Sequence, residues 1–150
     1  MNTLTFKKDD VIFRQNEFAD TMFKIISGSV RIVSDHEKDS EKEIAVLGPG
    51  SFFGEMGMVE CFPRSATAIV DSEAAEVIEF DETDFGRIMK DDPDTVLNIL
   101  RQLAQRLQET DQAYLEAVET VRREKAGNSD AKTKTALQRL HDFYRAFLNR

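Results

Sequence analysis

The sequence predicts a mainly β fold with added helix: an antiparallel β jelly roll (double-stranded β-helix), then one long helix, then a short terminal helix. Three observations carry this. Residues 1 to about 80 break into short β-branched and aromatic runs separated by turn residues. The period then lengthens to that of a helix from Asp81 onward. From Asp94 to about Arg123 there is neither Gly nor Pro, so a single helix can run for roughly 30 residues, about 45 Å.

The predicted strands are Val11–Phe13, Met22–Ile26, Val30–Val33, Ile44–Leu47, Ala66–Val70 and Ala75–Phe80, with Gly28, Gly48-Pro49-Gly50 and Gly54 as punctuation. Strands this short and evenly spaced suit an antiparallel barrel or jelly roll. The segment from Asp35 to Glu43 is dense in charge and reads as a solvated hairpin loop. Asp81 to Met89 reads as a short helix, and Pro93 suits the first turn of the long one. The domain division expected is 1–92 for the β-roll, 93–123 for the long helix, and 124–150 for a linker and a basic amphipathic helix.

On the long helix, Val96, Leu100, Leu103, Leu107, Thr110, Tyr114, Ala117 and Val121 recur at spacings of four and three, a seam of the coiled-coil kind. That stripe either packs on the chain's own barrel or pairs with a second copy. A second apolar row, Leu97, Ala104, Leu115 and Val118, can serve the barrel, so a homodimer through 94–123 is the expectation. Gly127-Asn128-Ser129-Asp130 supplies a stop and new capping residues. The final helix, about Ala131 to Arg150, gathers Leu137, Leu140, Tyr144 and Phe147 on one face and is net basic. It docks on the acidic body or a sister chain, or it meets a partner protein or a membrane surface.

Of the 150 residues, 41% are hydrophobic and 32% charged, a balance that supports a packed core. The longest uncharged apolar-rich runs are too short to span a bilayer, and no secretory signal is visible, so the cytoplasm is the expected location. The net charge of −8 is uneven: residues 1–92 carry −10 and residues 93–150 carry +2. An acidic body repels phosphate backbones, which argues against nucleic acid as a direct partner. The single cysteine, Cys61, excludes an internal disulfide, and acidic Glu60 beside it argues against a reactive thiol. His36 and His141 stand far apart in sequence and form no ligand cluster, so neither a metal site nor a haem site finds support. No nucleophile–base pair can be assembled, which points to a sensor rather than an enzyme.

Chemistry concentrates in the run Phe52-Phe53-Gly54-Glu55-Met56-Gly57-Met58-Val59-Glu60-Cys61-Phe62-Pro63-Arg64-Ser65-Ala66-Thr67. Gly54 permits close backbone approach, and the residues after it can form a short helical turn with free N–H groups for an anion. Arg64 follows a turn-forming proline and opens an apolar strand, so its guanidinium projects from a fixed position. Glu55 in the same cradle can accept from a sugar hydroxyl. A sugar phosphate with a single net charge suits that pair; the plainer alternative is that Glu55 and Arg64 simply pair with each other.

This run closely resembles the phosphate-binding cassette of cyclic-nucleotide-binding domains, the family of the bacterial catabolite activator proteins and of the regulatory subunits of cyclic-AMP-dependent protein kinase. The matching residues are Phe53-Gly54-Glu55, then Pro63-Arg64-Ser65-Ala66-Thr67, with Met58 in place of the usual Leu. Two upstream signatures accompany them, Met22 to Val30 and Leu47-Gly48-Pro49-Gly50-Ser51-Phe52, and the resemblance covers about residues 5–123. It departs from the pattern at Asn16 to Asp20, where a Gly-rich turn is usual; Asn16 tolerates the left-handed conformation such a turn needs.

The resemblance implies that Arg64 binds the cyclic phosphate with the backbone N–H groups of Ser65 and Ala66. Glu55 would accept the ribose 2′-hydroxyl, with the backbone of Gly54 and Met56 nearby. It also implies that Thr110 and its neighbour Asp111 meet the base; the alternative for Thr110 is that, as a polar seam residue, it sets coiled-coil register. Cyclic AMP is favoured over cyclic GMP, because Asp111 can accept from adenine N6; the same acceptor and the Ser65 hydroxyl also suit guanine. The reading is a stand-alone receptor whose ligand repositions the C-terminal helices toward an unidentified protein partner, since too little chain follows Glu124 for a winged helix-turn-helix. The alternatives are an interaction scaffold of the same fold that binds no ligand, or a transcription-regulator-like protein without its own DNA-binding domain.

Overall fold

A computed structural model describes residues 1–60 and 62–126. Eight strands come first: β1 (Asn2–Lys7), β2 (Val11–Phe13), β3 (Thr21–Ser27), β4 (Val30–Ser34), β5 (Lys42–Leu47), β6 (Phe52–Phe53), β7 (Thr67–Val70) and β8 (Ala74–Asp81). Helix α1 (Glu55–Glu60) interrupts them between β6 and β7, and α2 (Glu82–Asp91) and α3 (Pro93–Ala126) follow. Two compact units divide the chain, Met1–Gln102 and Leu103–Arg150.

The strands form two four-stranded antiparallel sheets, β1-β8-β3-β6 and β2-β7-β4-β5. Their inner faces meet in a core of Phe23, Ile25, Val30, Phe53, Ala68 and Val77. Phe13, Phe23 and Phe53 sit ring against ring at its edge, with centroids 5.3–5.9 Å apart. Alternation along β3 and β8 places the inward residues in this core, while charged neighbours such as Glu76 and Glu79 stay at the rim. The jelly-roll expectation therefore holds, and each of the six predicted strands is present within two residues at either end.

Two strands lie outside that prediction. Strand β1 pairs with β8 from Asn2↔Glu79 to Lys7↔Ala74, and its alternation of Thr3 and Thr5 with inward Leu4 and Phe6 is a period-two signal. Strand β6 spans only Phe52–Phe53, too short for any periodicity to register. The glycine of the β3–β4 turn, Gly28, has φ +80°, and a side chain there would collide with the Ala74 carbonyl.

Helix α2 starts one residue later than expected because Asp81 caps it, its side chain accepting from Asp84 N–H at 2.7 Å. Helix α3 opens at Pro93 as expected, with Asp92 accepting from Thr95 N–H and from its hydroxyl. It continues to Ala126, the residue before Gly127, three residues beyond the end expected at Arg123. In its first turns the buried residue is Ile99, whereas Leu97 is 46% exposed. The face that packs in those turns runs through Ile99; of the row of Leu97, Ala104, Leu115 and Val118, it is Val118 that is buried. Cys61 and the expected linker and helix of 127–150 lie outside the described residues.

Candidate functional site

Strand β6 ends at Phe53, and Gly54 turns the chain with φ +76° into α1. A Cβ at Gly54 would lie 2.8 Å from Arg64 Nη1 and 3.2 Å from the Phe13 ring, so only glycine lets the backbone approach that closely. In α1, Glu55, Gly57 and Met58 are buried while Met56 and Val59 point outward. The chain then returns through Pro63 to Arg64, whose backbone is bracketed from the far side: Asn16 N–H donates to Arg64 O, and Arg64 N–H donates to Glu17 O, both at 2.8 Å. Asn16 has φ +70°, the left-handed conformation expected of it.

Arg64 is only 5% exposed, and Glu55 only 4%. Charged side chains are rarely so buried without partners. The guanidinium of Arg64 donates from Nη1 to the carbonyls of Thr21 (2.7 Å) and Gly54 (2.8 Å), and from Nη2 to Thr21 Oγ1 (3.1 Å). Its carbon lies 4.3 Å from the Phe13 ring centroid and 5.8 Å from that of Phe23. Nε is buried and has no hydrogen-bond partner among the described residues. Burial pushes the guanidinium down from its ordinary value; Asp20, Glu17, Glu79 and Glu55, in that order, oppose the shift.

Six of the eight residues singled out from sequence fall in this one place: Gly54, Glu55, Met56, Arg64, Ser65 and Ala66. Ser65 is exposed and Ala66 buried, at the bend that leads into β7. Met56 is 53% exposed, so its backbone rather than its side chain belongs to the cradle. Thr110 and Asp111 lie on α3 in the second compact unit. There the Thr110 hydroxyl donates to Arg106 O at 2.8 Å, a back-bond one turn along the helix.

Sequence reasoning missed Thr21, Phe13 and the Asn16–Glu17 bracket. Thr21 provides two of the three oxygens that hold the guanidinium, yet it stands 43 residues from Arg64 and no local pattern links them. Among the described residues, no group of three or more His, Cys, Asp or Glu is placed to hold a metal ion. No helix among them is long and apolar enough to cross a membrane.

The profile of the cyclic nucleotide-binding domain matches residues 3–92, which takes in both sheets, the cradle and α2. The chain belongs to the cyclic nucleotide-binding domain family. Among curated relatives, a cyclic AMP receptor protein of Thermus thermophilus is 33% identical over 100 residues, 67% of this chain and 46% of that protein. The cGMP-dependent protein kinase egl-4 of Caenorhabditis elegans is 37% identical over 81 residues, 53% of this chain and 10% of the kinase. Among solved structures, the catabolite activator protein of Thermus thermophilus superimposes with a TM-score of 0.68 at 28% identity, covering 79% of this chain and 55% of that one. The chain spans about half the length of the bacterial relatives it matches.

Proposed function

We propose that this cyclic nucleotide-binding domain acts as a receptor and not an enzyme, with cyclic AMP favoured over cyclic GMP. The observation that carries the proposal is the buried guanidinium of Arg64, fixed by Thr21 and Gly54 and left with an unpartnered Nε. A buried donor without an acceptor calls for one, and a singly charged cyclic phosphate supplies it in charge-assisted form. In this reading Arg64 binds the cyclic phosphate, assisted by the backbone N–H groups of Ser65 and Ala66. Glu55 accepts the ribose 2′-hydroxyl, with the backbone of Gly54 and Met56 alongside. No metal or other cofactor enters the proposal.

Thr110 and Asp111 are proposed to read the base. Support for cyclic AMP comes from the cyclic AMP receptor relative, while the kinase relative named for cGMP keeps cyclic GMP as the competitor. Along the proposed dimer seam of 94–123, Leu100 and Leu107 are 55% and 59% exposed, as residues awaiting a second copy are. Ligand would act by favouring one arrangement of the C-terminal helices, presented to a protein partner, in proportion to its differential affinity for the two.

Calorimetric titration with cyclic AMP and, separately, cyclic GMP tests the reading. Micromolar or tighter binding of one nucleotide, lost in Arg64→Ala, is the expected result. If neither binds, the receptor reading fails and an interaction scaffold of the same fold takes its place.

A further inference from the structure

Helix α3 grips the strand that feeds the cradle with the side-chain amide of Gln102. Gln102, its tenth residue, accepts from Phe52 N–H through Oε1 at 2.9 Å and donates from Nε2 to the Gly50 carbonyl at 3.0 Å. A single amide thus grips the backbone on either side of Ser51, in the way an added strand would grip the free edge of β6. The other edge of β6 pairs with β3, through Phe23↔Phe53 and Lys24↔Phe52. The turn itself is pinned to β3 by Gly50 N–H to Ile25 O (2.8 Å) and Ile25 N–H to Ser51 O (2.9 Å). Phe52 is 3% exposed, so the N–H that Gln102 satisfies is one that cannot turn to water without cost.

Two residues further along the chain, the Gly54 carbonyl accepts from Arg64 Nη1. The register of β6 therefore sets the position of an oxygen that holds the guanidinium. The buried Ile99 lies one turn before Gln102 on the same helix face, so the clasp and the packed face of α3 move together.

We propose that Gln102 is the positioning residue that couples the first turns of α3 to the cradle. The proposal rests on the receptor reading for its ligand. Nucleotide that orders the cradle fixes β6, and fixed β6 holds both partners of the Gln102 amide in place. By linkage, docking of α3 through that amide raises nucleotide affinity by the same factor. Only glutamine meets the requirement: Glu keeps the acceptor and loses the donor, Leu keeps the volume and loses both, and Asn is one methylene short.

Hydrogen exchange on the full chain, with and without cyclic AMP, reads the coupling in the parent, Q102L and Q102E. In the parent, nucleotide slows exchange of the α3 amides up to residue 102 as well as those around Arg64. In Q102L, nucleotide still slows exchange around Arg64, binds about 5- to 50-fold more weakly, and no longer protects α3, as loss of two hydrogen bonds implies. Q102E falls between. Equal ligand-dependent protection of α3 in Q102L and the parent overturns the proposal, as does an equal loss of protection in free and liganded protein, which marks a purely structural clasp. If the parent takes up no nucleotide, the receptor reading fails on its own. The clasp is then decided in the free protein, where Q102L must speed exchange of the Phe52 amide and the first turns of α3 together, and unchanged exchange overturns it.

Discussion

The cradle of Gly54 to Ala66 and the β4–β5 loop are both charged excursions from the same β-roll, and they differ in what their charges touch. In the loop, His36, Glu37, Lys38 and Glu41 pair with one another and with Asp35, Arg14 and Arg31, mostly in reach of water. Such pairs satisfy themselves and contribute little. In the cradle, Arg64 is buried and held by neutral oxygens, with an aromatic ring beneath it and one donor unpartnered. Charge density alone marks the loop; burial with an unmet hydrogen-bonding need marks the cradle.

Arg64→Ala breaks this contrast most completely. It removes the buried charge while leaving the Thr21 and Gly54 carbonyls to water, and nucleotide affinity should fall by about 100-fold or more, as for other truncated buried charge partners. Circular dichroism on the same sample should report the parent's strand content. Retained affinity would move the phosphate site elsewhere. Glu55→Gln comes next: an amide still accepts, but the charge-assisted part of the bond is lost, so binding should weaken roughly 10-fold in calorimetry. A 2′-deoxy cyclic nucleotide should then lose less affinity with the variant than with the parent. An equal loss would detach Glu55 from the ribose.

Thr21→Val sharpens the comparison further, because it changes only how the guanidinium is held. Valine removes the Oγ1 that accepts from Nη2 and keeps the backbone carbonyl that accepts from Nη1. The expected loss is about 3- to 10-fold, the worth of one hydrogen bond. Affinity equal to the parent's would mean that the carbonyls of Thr21 and Gly54 suffice to position Arg64.

The same contrast governs what could be read from sequence. The strands with β-branched runs, the start of α3 at Pro93, and the glycine, glutamate and arginine of the cradle were legible because their signals are local. The left-handed Asn16 was legible as a permitted substitution for a glycine turn. Thr21, Phe13 and Gln102 were not, because each acts across a distance in sequence that only the folded sheets close. Gln102 meets its partners 50 and 52 residues away, and nothing in its helical neighbourhood marks it among several other glutamines. Thr110 was legible as a polar interruption of an apolar seam, and its hydroxyl is satisfied within its own helix.

The smallest expected effect lies in the loop. Glu41 accepts from Glu37 N–H at 2.9 Å and pairs with His36 and Arg31. These contacts, the Glu37 backbone bond first, hold its carboxyl below the ordinary 4.5. A carboxylate whose folded value is depressed adds stability above its unfolded value and loses it as pH falls through the folded one. Glu41→Gln should therefore lower Tm at pH 7, and the gap from the parent should close as pH drops below about 4. Nucleotide affinity at pH 7 should stay within about 2-fold, since paired surface charges carry little energy. A Tm gap that persists in acid would assign the effect to packing rather than charge. A large loss of affinity would make the loop part of the site and dissolve the distinction between the two regions.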